Sequence, residues 1–406
     1  MAKKGVMPPS VKPGKPVLTE CPPGWKRCTY ADLFNPIERP VKLEDEKKYQ
    51  LVTVKRSRGG VVRREVLKGS EIKTKSAFEL REGDFLISNR QIVHGACGTV
   101  PSELAGSIVS GEYTVLGPQN GTSMDYARHF SHSLFFQQSC YHSSIGVDIE
   151  KMVFKVDQWL KTPLNFPPAQ EQVEIAEILS CWDEGIQKVR QLIVLHETAL
   201  QAATNALFTS ANSKESSKRV KISEICEIGR GRVISQSYIK NNLGSYPVYS
   251  SQSKNNGVLG LIDTYDFEGE YVTWTTDGAY AGTVFYREGK FNCTNVCGTL
   301  KSKDPAIHMP FLAFALSRVT KQHVMTAGNP KLMNNVVANI EIQLPAIAEQ
   351  KQISNLLITQ QSYLSLIQVL RGRLSEEKQA LMQKLLTGKL RVQLDEEPIQ
   401  LREARA

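Results

Sequence analysis

The chain has 406 residues, 41% hydrophobic and 22% charged, which is ordinary globular composition and more chain than one hydrophobic core serves. Its 50 Lys and Arg against 41 Asp and Glu leave a formal charge of +9, favouring an anionic partner over an acidic small substrate. No apolar run approaches the length that spans a bilayer, and the eight cysteines form no CxxC pair, so neither a membrane helix nor a zinc framework is expected; free thiols suit a reducing cytoplasm.

The first run, "MAKKGVMPPSVKPGKPVLTECPPG", carries prolines and lysines but no hydrophobic stretch. Residues 1–19 therefore read as a flexible arm that contributes little to folding, and not as a signal peptide. Residues 20–165 read as a first globular domain of mixed α/β type, with strand-like runs such as "YQLVTV" and "DFLIS" between turns. Within it, "VKRSRGGVVRR" at 54–64 sets Arg56, Arg58 and Arg63 around glycines, where they suit phosphates or guanine edges. A solvated basic turn is the alternative.

"SNRQIVHG" at 88–95 is sharper, because Asn89, Arg90 and Gln91 can pair bidentately with bases, with His94 beside them. "QQSCYHSSIG" adds Tyr141, His142 and Ser143. His129 and His132 have no Asp, Glu or Cys to complete a ligand set, so no metal is expected and they read as polar surface or DNA-facing residues.

Residues 166–212 read as one long helix. Ile175, Leu179, Trp182, Ile186, Val189, Ile193, His196, Leu200, Ala203 and Leu207 alternate four and three apart, which is a heptad seam. Forty such residues extend ~60 Å at about 1.5 Å each, too long for one small core to wrap. His196 on the seam reads as a satisfied core histidine.

A second globular domain at 218–343 contains "YVTWTTDGAYAGTVFY" from Tyr271, read as two strands around a variable loop. Tyr271, Val272 and Trp274 belong to packing, whereas Thr276, Asp277 and Tyr280 occupy the slot that "SNRQIVHG" fills earlier. "SSQSKNN" supplies Ser251, Gln252, Lys254, Asn255 and Asn256, and "AGNPKLMNN" adds Lys331 and Asn334. Singly, each is a common turn residue; their recurrence at corresponding places suggests an interface.

Residues 344–390 repeat the long helix, and 391–406 form a tail. "FPPAQEQVEIAEIL" from Phe166 matches "LPAIAEQKQISNLL" from Leu344 at a constant offset (349 − 171 = 178). The stripe continues less cleanly through Leu357, Leu364, Ile367, Leu370, Leu374, Leu381 and Leu385, with Gln360, Arg371 and Lys378 interrupting it. The chain is thus a globular domain and a long helix, twice. Two helices of equal length most simply pair antiparallel, as a spacer with a domain at either end.

Catalytic signatures are missing from the sequence. There is no GxxxxGK[ST] phosphate loop, no GxSxG elbow, no HExxH pair, and no Asn-Pro-Pro-aromatic or Asp-Pro-Pro-aromatic tetrapeptide.

In its duplicated plan and its paired "FPPAQEQ" and "LPAIAEQ" helix heads, the sequence resembles the specificity (S) subunit of type I restriction-modification systems. "YPVYSSQSKNNGVLG" and "YVTWTTDGAYAGTVFYREGKFNCTNVCG" resemble that family's target-recognition core, and the resemblance covers about residues 20 to 390. One departure is Ala346, where the first copy has Pro168.

The resemblance implies a non-catalytic DNA-binding subunit of a phage-defence complex. Each domain would read half of a bipartite double-stranded DNA target, and the helices would set the spacing. Two methyltransferase subunits using S-adenosylmethionine and motor-nuclease subunits using ATP and Mg²⁺ are the implied partners; this chain itself would bind no cofactor. Glu171, Gln172, Glu349 and Gln350 are first-turn residues favoured by the helix dipole, and are also the expected subunit contacts. A related system with a fused methyltransferase-nuclease partner remains an alternative, as does a coiled-coil scaffold that never touches DNA.

Overall fold

The computed structural model describes residues 7–74, 76–213, 215–252 and 254–393, and of Lys254 the backbone alone. The chain divides into two compact units, Met1–Val189 with Leu370–Ala406, and Arg190–Val369.

In the first unit the framing strands are β1 (Lys26–Thr29), β2 (Phe34–Pro36), β3 (Lys48–Val54), β4 (Val61–Lys68), β5 (Phe85–Ser88), β6 (Cys97–Thr99), β7 (Tyr113–Pro118) and β8 (Pro163–Phe166). One antiparallel sheet runs β2-β7-β5-β6, and the β3–β4 hairpin belongs to a second, five-stranded sheet. All four residues of β5 are buried, and their period of two sends them to different places. Phe85 and Ile87 join the aromatic core around Tyr30, Phe136 and Trp159, whereas Leu86 joins a separate cluster with Val52 and Val61. The rings of Tyr30 and Trp159 stack at 3.9 Å, and both polar atoms reach Ser139 Oγ, at 3.1 and 3.0 Å. Helices α1 (Met124–Phe130) and α2 (Leu134–His142) complete this core. Strands β1 and β8 pair antiparallel, so the domain's two ends close on each other just before helix α3 (Ala169–Asn212) begins.

The second unit repeats the plan. Its framing strands are β9 (Lys218–Lys221), β10 (Cys226–Arg230), β11 (Leu243–Tyr249), β12 (Val258–Ile262), β13 (Tyr271–Thr275), β14 (Val284–Arg287), β15 (Cys297–Ser302) and β16 (Glu341–Leu344). The sheet β10-β15-β13-β14 has the same order and antiparallel sense as β2-β7-β5-β6, and β9 pairs with β16 as β1 does with β8. Val272 and Trp274 are buried in a core with helix α4 (Met309–Val319), and helix α5 (Ile347–Leu385) follows β16. The run from Tyr271 is indeed two strands around a loop, with Trp274 opposite Val284.

The helices pair antiparallel, as the register within each unit shows. In the first, Leu381 and Leu385 pack with Ile175 and Leu179, and Lys378 Nζ meets Asp183 Oδ1 at 2.5 Å. In the second, Ile353 and Leu357 pack with Phe208, and His196 Nε2 lies 3.2 Å from the Gln360 carbonyl with its ring against Tyr363. His196 is therefore a satisfied seam residue, and the polar interruption at Lys378 is matched by an acid.

Three expectations are corrected. The helices are unequal, 44 and 39 residues, because Gly388 adopts φ +68° and ends the second where Ser210 lets the first continue. The seam drifts along an α-helix, so Ala203 is exposed while Thr204 and Phe208 turn inward, and Leu370 lies 48% exposed. The arm is anchored rather than free within residues 7–19, most of which stay exposed: Val11 is 3% exposed, and Gln138 Nε2 donates to the Pro13 carbonyl at 3.2 Å. Residues 1–6 and 394–406 lie outside the described residues.

Candidate nucleic-acid interface

In each unit a hairpin tip carries two successive residues in left-handed backbone. These are Ser57 and Arg58, both at φ +58°, between β3 and β4, and Asn255 and Asn256, both at φ +50°, between β11 and β12. Asparagine tolerates this conformation by local hydrogen bonding; Ser57 and Arg58 are held in it by the neighbouring loop. Ser57 N donates to the His94 carbonyl at 2.7 Å, and Arg58 N to the Gly95 carbonyl at 2.8 Å. The basic tip and the loop after β5, separate in sequence, are thus one surface.

On that surface Arg56 and Arg90 are exposed and ion-paired, Arg56 Nη2 with Glu150 at 2.6 Å and Arg90 Nε with Glu112 at 2.7 Å. Exposed pairs of this kind are worth about 0–1 kcal/mol, so either guanidinium can exchange its acid for a phosphate or guanine. Asn89 accepts from Thr114 Oγ1 at 2.7 Å, and Gln91 is half-buried. Arg63 is exposed on β4, and at the end of α2 Tyr141 is half-buried and His142 exposed.

Several polar candidates are packing residues instead. His94 is fully buried, its Nδ1 3.1 Å from Ser10 Oγ and its Nε2 3.2 Å from Glu150 Oε1, and burial, then Arg56, lower its pKa against the pull of Glu150. Ser143 is 1% exposed and sits at the C-cap of α2. His129 is 2% exposed with Nε2 3.1 Å from Ser180 Oγ, which corrects its reading as a surface residue. Burial leaves none of these side chains an open path to a base.

In the second unit the loop after β13 is joined to the 325–334 segment. Leu332 N donates to the Thr276 carbonyl at 2.9 Å, and Gly278 N to the Pro330 carbonyl at 3.0 Å. Thr276 is fully buried and donates to Asp277 Oδ2 at 2.7 Å, so it positions the carboxylate and does not read a base. Asp277 faces Lys331 at 4.0 Å and Arg230 at 3.5 Å; Tyr280 is 48% exposed. Asn334 donates to the Gly229 carbonyl at 3.1 Å.

Arg230 is the residue that sequence reasoning missed. It ends β10 and bridges Asp277 to the 294–296 turn, where Thr294 Oγ1 meets Ser250 Oγ at 3.1 Å. The "GRGRV" run, basic residues among glycines, was the available signal. Ser251 and Gln252 are half-buried, with Gln252 Nε2 turned back to the Val258 carbonyl, and the side chain of Lys254 lies outside the described residues. Asn255 and Asn256 are exposed, and the buried Arg287 guanidinium donates to the Asn256 carbonyl at 2.7 Å.

At the helix heads, Glu171, Gln172 and Gln350 of the four expected subunit contacts are packed into their own domains. Glu171 is fully buried and accepts from Trp25 Nε1 at 3.0 Å and from Arg391 Nε and Nη2 at 2.7 and 2.8 Å. Gln172 accepts from Ser123 N, the N-cap of α1, at 2.8 Å and donates to the Pro167 carbonyl at 3.0 Å. Gln350 does the same in the second unit, accepting from His308 N, the N-cap of α4, at 2.9 Å and donating to the Pro345 carbonyl at 2.8 Å. Glu349 is half-buried in the first turn of α5. Buried and bonded in this way, Glu171, Gln172 and Gln350 clamp each long helix to its own domain. Among the described residues no cluster of three or more His, Cys, Asp or Glu could hold a metal, and no helix is long and apolar enough to cross a membrane.

The family model for the type I restriction modification DNA specificity domain matches the chain twice, over residues 22–196 and 214–368. A Mycoplasma pneumoniae type I specificity subunit is 55% identical over 138 residues, which are 34% of this chain and 38% of that one. Another from the same organism is 42% identical over 196 residues, covering 48% of this chain and 81% of the relative. The crystal structure of a type I restriction-modification system S subunit from M. genitalium superposes with a TM-score of 0.61 at 16% identity, over 93% of this chain and 99% of that one. With the duplicated fold and both matched segments in hand, the chain belongs to the type I restriction-modification specificity-domain family.

Proposed function

We propose that each domain reads one half of a bipartite double-stranded DNA target, and that the paired helices fix the distance between halves. One observation carries this reading: in both units a sheet of the same strand order ends β5 or β13 in a loop of different polar chemistry, and each unit also carries a left-handed hairpin tip in another sheet. Arg56, Arg90 and Asn89 serve the first half; Arg230, Asp277, Asn255, Asn256 and Lys331 serve the second. The chain performs no chemistry itself. Adenine methylation with S-adenosylmethionine, and ATP- and Mg²⁺-dependent cleavage, belong to methyltransferase and motor-nuclease partners in the cytoplasm.

With Glu171, Gln172 and Gln350 buried, an exposed stretch of the helices is the surface for those methyltransferase subunits. In the second unit Leu192 and Leu195 on α3 are 44% and 68% exposed, and Tyr363 and Leu366 on α5 are 50% and 67% exposed. Apolar residues this exposed on long helices suit a partner of matching apolar character. Sequencing the methylated bases of cells with and without the gene tests the reading. Loss of one bipartite motif is expected, and an unchanged methylation pattern would leave only the scaffold reading.

A further inference from the structure

A recess of about 430 Å³ in the first unit is lined by the arm, the basic hairpin tip, α2 and the C-terminal part of α5. Lys12, Arg58, His132 and Lys378 line it together with Ser57 and Gln379, and no Asp or Glu does. Lys378 is paired with Asp183, but Lys12 and Arg58 have no carboxylate partner among the described residues. Arg58 is the more telling, because a half-buried guanidinium is costly to desolvate without a counter-charge. Its backbone is also held at φ +58° by the bond from its N–H to the Gly95 carbonyl. Burial first, then Arg58 and Lys378, lower the His132 pKa to about 4, so the ring stays neutral there.

We propose that this recess is an anion site that takes a phosphate group, with Lys12, Arg58 and Lys378 converging on it from three separate elements. Convergence from three directions, with hydroxyl and amide donors between, suits a tetrahedral phosphate better than a planar carboxylate. The phosphate can come from the DNA backbone beside the hairpin tip or from a small phosphate compound; the first source rests on the DNA-reading proposal, the second does not.

The test uses the full chain in complex with its methyltransferase subunits, as wild type, Lys12→Gln and Arg58→Gln. Lys12 is exposed, so its variant keeps the test alive should Arg58→Gln fail to fold. Inorganic phosphate, compared with chloride at equal ionic strength, is expected to raise the melting temperature of the wild type and not of the variants. If the source is DNA, the slope of log affinity against log salt also becomes shallower by about 0.9 per phosphate contact removed. That change is the same for duplexes with altered half-sites. Phosphate protection with an unchanged slope assigns the site to a small phosphate. No protection and an unchanged slope in both variants overturns the proposal. Weakened capture of the methyltransferase subunits with an unchanged slope also overturns it, giving the recess to an acidic protein surface. A wild type that binds no duplex defeats the DNA reading alone, since the phosphate arm still reports on the recess.

Discussion

Replacing Gln350 by Ala should loosen α5 from its domain without touching any partner surface. The side chain is 1% exposed, and its amide makes three hydrogen bonds, from His308 N at 2.9 Å and to the Ala306 and Pro345 carbonyls at 3.1 and 2.8 Å. A buried backbone group left unpartnered costs about 1–3 kcal/mol. Because the three groups lie together and a water can re-enter the vacated volume, the sum is about 3 kcal/mol. In a unit of this size each kcal/mol lowers the melting temperature by about 2–4 °C, giving a fall of roughly 6–12 °C. Scanning calorimetry of the full chain reads this, and capture of methyltransferase subunits at low temperature reads partner binding. Normal melting with capture lost would refute the clamp and restore Gln350 as a subunit contact.

Arg230→Ala should weaken binding to duplexes carrying the second half-site while sparing discrimination at the first; equal losses at both would remove Arg230 from the interface. Inserting seven residues into each long helix should lengthen the target's spacer and keep both half-sites, and altered half-sites at constant spacing would sink the ruler. Burial first, then Arg128, lower the His129 pKa from 6.5 to about 3, so the unfolded chain takes up a proton that the folded chain refuses. Stability from this group is complete above about pH 6.5 and declines as the pH falls from there towards about 3. The first unit should therefore melt earlier at pH 5 than at pH 7, and His129→Gln should lessen that difference. An equal difference in the variant would show that other groups set the pH dependence.

The duplication was legible because a long helix tolerates no gap: one insertion rotates every later seam residue, so the offset of 178 between Glu171 and Glu349 persists from end to end (349 − 171 = 178). The strands of "DFLIS" and "YVTWT" were legible from composition, since they are buried and rich in β-formers. The unequal helix ends turn on one position, Ser210 against Gly388, that an approximate repeat conceals. The clamp at the helix heads was hidden because most of its partners are backbone groups, Ser123 N, His308 N and two proline carbonyls, which no sequence pattern announces. His94, Ser143 and Thr276 misled because polar residue type says nothing of burial, whereas Arg230 escaped because its acid lies 47 residues away.

Grafting residues 20–165 in place of 218–343 gives a chain with two copies of the first domain, and the ends fit because β1 pairs with β8 as β9 does with β16. Sequencing methylated bases in cells that carry this chain tests the central claim directly. Two independent readers on an antiparallel spacer predict a new target, an inverted repeat of the first half-site. Retention of the original motif, or a target without that symmetry, would contradict the account.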